Sequence, residues 1–121
     1  MEKFSLSDRV KSVRFAIVGF LTMLRSQHNA WLHALATVVV LLVSALVDLD
    51  AIEWCIIILC IGLVWSAEAF NTAVEVLCDV VQPEQHPKIK VVKDVAAAAV
   101  LLMSVAAAIV AMIIFLPYFF V

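Results

Sequence analysis

Glu68, Asn71, Glu75 and Asp79 follow one another at intervals of three, four and four residues in the run Glu-Ala-Phe-Asn-Thr-Ala-Val-Glu-Val-Leu-Cys-Asp. On a helix this spacing sets all four on one face. With ~1.5 Å of rise per residue, the polar stripe extends about 16 Å along the axis. The flanking sequence is apolar, and ionisable groups in such a helix face a bundle interior or a functional cavity because lipid does not solvate them. Each group suggests a chemistry. A carboxylate at the depth of Glu68 can act as general base toward a hydroxyl. Glu75, nearer the helix end, offers the oxygen ligation that Mg²⁺ prefers alongside water and phosphate. Asn71 lies between them and can orient both. Asp79 is within reach of lysines in the next segment, of which Lys93 can supply a point charge to a phosphate. Together these are parts for phosphoryl transfer, which needs positioning and charge stabilisation more than covalent chemistry. The opposing reading pairs the acids with bases across a bundle. It suits Asp79 and suits Glu68 poorly, because the sequence suggests no Lys, Arg or His near the depth of Glu68.

What must position that stripe is a membrane domain. The 121 residues suffice for one domain, 1–121. They are 66% hydrophobic and 15% charged, with a mean hydropathy of +1.15. A water-soluble domain of this size could not hide so much apolar surface, so the expected class is an all-α integral membrane protein. The eight Lys and Arg fall in two places, Lys3 to Arg25 and Lys88 to Lys93. They are few and adjoin apolar spans, so a nucleic-acid partner gets no support. Cys55, Cys60 and Cys78 show no metal-ligand or disulfide spacing and read as small packing residues.

The chain divides into four helical segments. Residues 5–28 open with Ser5-Leu6-Ser7-Asp8, a capping-box pattern. They continue with Val10, Val13, Ile17, Phe20, Leu21 and Leu24 at helical spacing among Lys11, Arg14 and Arg25. This is the pattern of a basic amphipathic surface helix, and of one packed on its own bundle equally well. A first span covers 30–47, with Trp31 and His33 at its interface. An acidic loop, 48–53, leads to a second helix over 52–81. Two prolines then break the chain, a loop runs over 82–94, and a third span covers 95–116. Lys and Arg accumulate on cytoplasmic loops, so the amino terminus and loop 82–94 are expected in the cytoplasm and the acidic loop on the other side.

The central run, Glu68 to Asp79, resembles the motif of the small prokaryotic diacylglycerol and undecaprenol kinases. Lys93-Asp94-Val-Ala-Ala-Ala-Ala-Val-Leu-Leu and Ser12-x-x-Phe15-Ala16-x-x-Gly19 are similar to two further segments of that family. The resemblance covers nearly the whole chain. Glu53-Trp54, His86-Pro87 and Phe-Leu-Pro117 look closer to the undecaprenol kinase branch. It implies a homotrimer of three-span subunits, each with a surface helix, in the bacterial inner membrane. It implies transfer of phosphate from ATP to a lipid alcohol with Mg²⁺ as cofactor. Glu68 would be the catalytic base and Glu75 a metal ligand. Glu84, His86, Lys93 and Asp94 would line the nucleotide site with Lys11 and Phe15 at its edge, and Asn71 and Asp79 would support it.

The family places a second metal-binding glutamate before the first span, in a Glu-x-Asn-x-Arg pattern. Here the segment reads Gln27-His28-Asn29-Ala30-Trp31, so Gln27 stands at a metal and nucleotide position as a neutral amide. That departure motivates an alternative, a member of the same scaffold with a changed donor or reaction, such as hydrolysis of a phosphorylated lipid or nucleotide. A third reading is a non-enzymatic membrane scaffold or ion pathway that uses the acidic stripe.

Overall fold

A computed structural model describes residues 3–120; of the expected domain 1–121, residues 1, 2 and 121 lie outside the described part. The chain is all-helical: α1 is Leu6–Ser26, α2 His28–Leu46, α3 Ala51–Val81 and α4 Pro87–Phe120. The last three are each long and apolar enough to cross a membrane. Large apolar side chains along them face outward, from Leu35 and Leu42 to Leu102 and Ile113. That arrangement suits lipid as solvent and would be ruinous in water.

α1 begins where the side chain of Ser5 accepts the backbone N–H of Asp8 at 3.4 Å. It ends because Gln27 adopts extended backbone (φ −115, ψ 119), and α2 starts one residue later. Most of the apolar face of α1 is exposed, and Met23 is its buried residue. At the far end of the bundle Asp48 takes a left-handed φ of 58 to close the α2–α3 turn. Asp50 and Glu53 form a reciprocal capping box that launches α3. Leu49, Ile57 and Ile114 make a small core beside that turn. α3 and α4 form the main antiparallel pair, and α1 and α2 touch the rest more lightly.

Two boundaries differ from the sequence expectation. The third span was expected from about Val95, yet α4 already begins at Pro87. Proline is preorganised for the first helical position, and nothing between Pro87 and Val95 interrupts the helix. Residues 87–94 are therefore helix, and the connecting loop shrinks to Gln82–His86. At the other end α4 continues through Pro117 to Phe120. There Tyr118 donates its hydroxyl hydrogen to Glu53 at 2.6 Å, tying the last turn of α4 to the first of α3. At ~1.5 Å per residue, 31 residues of α3 reach about 46 Å, more than the ~30 Å hydrocarbon core. Its final turns, with exposed Asp79, have length to spare beyond the lipid.

Candidate functional site

The antiparallel register of α2 and α3 builds the site. Gln27, just before α2, lies against Glu75 of α3: its Nε2–H donates to Glu75 Oε2 at 3.2 Å. Six residues further along α2, or seven back along α3, is about 10 Å of rise in both cases. At that depth His33 Nε2 stands 3.2 Å from Glu68 Oε2. One turn deeper the indole N–H of Trp65 donates to the hydroxyl of Thr37 at 3.0 Å. Three polar pairs thus fasten α2 and the residue before it to α3.

This corrects one expectation. Glu68 does have a histidine at its depth. The antiparallel hairpin brings His33 to it, and distances along the sequence do not reveal that register.

Burial grades along the stripe. Glu68 keeps 1% of its surface exposed and Asn71 6%. Glu75 is half-buried and Asp79 is exposed. Asn71 donates from Nδ2 to Glu75 Oε1 at 3.3 Å, so each oxygen of Glu75 accepts one amide N–H. Two acceptor atoms in the cluster, Glu68 Oε1 and Asn71 Oδ1, are buried with no hydrogen-bond partner among the described residues. A buried acceptor without a donor costs roughly 1–3 kcal/mol. Both belong to the polar stripe, three residues apart on α3.

The other expected site residues lie elsewhere. Glu84, His86, Lys93 and Asp94 line an open pocket of ≈ 730 Å³ where α3 passes into α4. Lys93 donates to Asp79 at 2.6 Å across the two helices, as the position of Asp79 suggested. Lys90 donates to Asp94 one turn along α4. His86 Nδ1 accepts the backbone N–H of Lys88 at 3.1 Å and so caps α4. Lys11 and Phe15 stay exposed on α1. Lys11 pairs with Asp8 at 3.5 Å, and the structure brings neither Lys11 nor Phe15 to the two groups above. Trp31 is also exposed.

Among the described residues no three His, Cys, Asp or Glu side chains converge to hold a metal. Mg²⁺ does not require such a cage, because it commonly takes one or two carboxylates, with water and substrate phosphates as its other ligands. The Glu75 carboxylate and the unpartnered Asn71 Oδ1 are oxygen donors of that kind, and they fit Mg²⁺ that arrives with a nucleotide. Gln27, whose amide N–H is turned to Glu75, fits less well than an acid would.

His33 is the site residue that sequence reasoning missed. A signal was present: His33 shares a helix face with Ala30 and Thr37, the face that α2 turns toward α3.

The fold and the cluster define a small all-helical integral membrane protein with a polar stripe on one helix, graded from the buried Glu68 through Glu75 to the exposed Asp79. The chain belongs to the prokaryotic diacylglycerol kinase family, whose model matches residues 14–115. It is 41% identical over 107 residues to the undecaprenol kinase of Bacillus subtilis (strain 168), covering 88% of this chain and 87% of that protein. It is 36% identical over 107 residues to a diacylglycerol kinase of Synechocystis sp. (strain ATCC 27184 / PCC 6803 / Kazusa). That match covers 88% of this chain and 61% of the longer relative.

Proposed function

We propose that the protein is a membrane lipid kinase that transfers the terminal phosphate of ATP to a lipid alcohol, with an undecaprenol-type polyprenol favoured over diacylglycerol. The observation that carries the reading is Glu68: an almost wholly buried carboxylate in a membrane-spanning helix, with one oxygen unpartnered among the described residues. In this reading Glu68 Oε1 takes the proton of the lipid hydroxyl as that oxygen attacks the terminal phosphorus. The bond from phosphorus to the bridging oxygen of ADP breaks, and the proton later leaves Glu68 to water. Glu75 and Asn71 would hold Mg²⁺, which when bound neutralises phosphate charge. Lys93, released from Asp79, and the pocket with Glu84, His86 and Asp94 would receive the nucleotide. Lys11 and Phe15 would close on it from α1 once the helix settles on the membrane.

The polyprenol preference draws on the likeness to the Bacillus enzyme and on Glu53-Trp54, His86-Pro87 and Phe-Leu-Pro117. We extend the reading to a homotrimer in the bacterial inner membrane, with the amino terminus and the α3–α4 connection in the cytoplasm. Cross-linking in native membranes tests the subunit number.

The experiment is a radiolabelled-ATP assay of the purified protein against a panel of lipid alcohols, with and without Mg²⁺. Labelled undecaprenyl phosphate formed faster than labelled phosphatidate is the expected result. Full turnover by Glu68→Ala would sink the assignment. The Gln27–Glu75 hydrogen bond supports a second reading, a changed donor or hydrolytic reaction on this scaffold. That reading predicts phosphate release from a lipid phosphate or nucleotide in the absence of any lipid alcohol.

A further inference from the structure

The two oxygens of Glu68 are in different situations. Oε2 lies 3.2 Å from His33 Nε2, and Oε1 is buried without a partner among the described residues. The His33 ring rests against Trp65, which is itself anchored to the same turn of α2. The Thr37 hydroxyl donates to the His33 carbonyl at 2.7 Å and accepts the indole N–H of Trp65 at 3.0 Å. The imidazole stands edge-on to the Trp65 ring, with centroids 6.0 Å apart. Trp65 in turn rests against Phe20 of α1 at 5.1 Å. Trp65 also precedes Glu68 by three residues on the same helix, so one turn of α3 supplies both the acid and the side chain that steadies its partner.

We infer that His33 is the positioning residue of this site: its Nε2–H holds Glu68 Oε2, so that Oε1 alone is presented to the lipid hydroxyl. The inference rests on the reading of Glu68 as general base. A base must meet its proton at hydrogen-bond distance and in line. A carboxylate free to turn about its last torsion presents two oxygens over a broad range. Fixing one oxygen by a donor that rests against Trp65 narrows that range, and a working site tolerates only about 10–20°. It also gives the Glu68 anion one hydrogen bond in surroundings where its other oxygen has none. Phe20 links the arrangement to α1, so the seating of α1 bears on the same acid through Trp65 and His33.

Ordinary interhelical polar glue would look similar in a static structure, and the two part in kinetics. The full chain is reconstituted in phospholipid nanodiscs and assayed with undecaprenol and ATP. In the positioning role His33→Leu lowers kcat about 100-fold and leaves both KM values within about threefold. His33→Gln, whose Nε2–H extends to nearly the same point, keeps kcat within about tenfold of native. His33→Asn, too short to reach Oε2 and still polar, falls with His33→Leu and serves if the leucine variant does not fold. Infrared spectroscopy gives a second readout. The Glu68 carboxylate band, assigned by its loss in Glu68→Gln, moves in His33→Asn and stays near its native place in His33→Gln.

Equal kcat in native protein and His33→Asn, or an unmoved carboxylate band, overturns the inference. So does a His33→Gln protein as slow as His33→Asn. A native protein that phosphorylates no lipid alcohol fails differently: it removes the role of Glu68 and takes this inference with it.

Discussion

Two polar regions of α3 lie within three turns of each other and are built on opposite terms. At Asp79 the carboxylate is exposed and meets the ammonium of Lys93, one full charge against another. At Glu68 the carboxylate is buried and, among the described residues, meets an imidazole on one oxygen and no hydrogen-bond partner on the other. The exposed pair is a helix-to-helix tie that water and salt weaken. Among the described residues no Lys or Arg meets the buried acid, and a buried carboxylate without such a partner is costly. Burial and the lack of a fixed cation among the described residues, more than charge itself, separate the two ends of the stripe.

The largest expected effect tests that contrast directly. Glu68→Ala should lower lipid kinase kcat by about 10³-fold while the protein remains folded in detergent. Asp79→Ala should change kcat less than about tenfold, and the opposite ranking would break the comparison. Next comes Glu75→Ala, expected to lower kcat about 100-fold and to raise the Mg²⁺ concentration needed for half-maximal rate. Gln27→Glu sharpens the same point in the other direction. A second carboxylate beside Glu75 should tighten binding of Mn²⁺, used as a paramagnetic stand-in for Mg²⁺, by about tenfold in a titration without lipid. Unchanged Mn²⁺ affinity would mean that Gln27 and Glu75 do not share a metal. Lys93→Ala should raise KM for ATP by about tenfold with kcat nearly constant, whereas Lys90→Ala, whose partner Asp94 lies on its own helix, should leave both within about threefold of native. The smallest effect is at the far end: Tyr118→Phe removes the tie to Glu53 and should lower Tm by less than about 3 °C without touching turnover.

Much of this was legible in the sequence. Apolar length gave the three spans, and the spacing of Glu68, Asn71, Glu75 and Asp79 gave one face of one helix, because helical geometry is local. The capping of α1 by Ser5 was readable for the same reason. The start of α4 was not, because a proline that breaks one helix can equally begin the next, and Pro87 does the second. His33 read as an interface or packing residue, since its role depends on which residue of α3 lies opposite. Lys11 and Phe15 entered through likeness to a family, and within one chain they remain apart from the rest.

The sequence by itself determined the membrane class, the helical face that carries the acids and their order along the helix axis. Those features follow from hydropathy and from a period of 3.6 residues, both written along a single stretch of chain. Tertiary structure alone decided that Gln27 meets Glu75, that His33 meets Glu68 and that one oxygen of Glu68 has no partner among the described residues. Each is a matter of register between α2 and α3. Register is set by packing and by a turn at Asp48 far from the site, so no local pattern near the acids could state it.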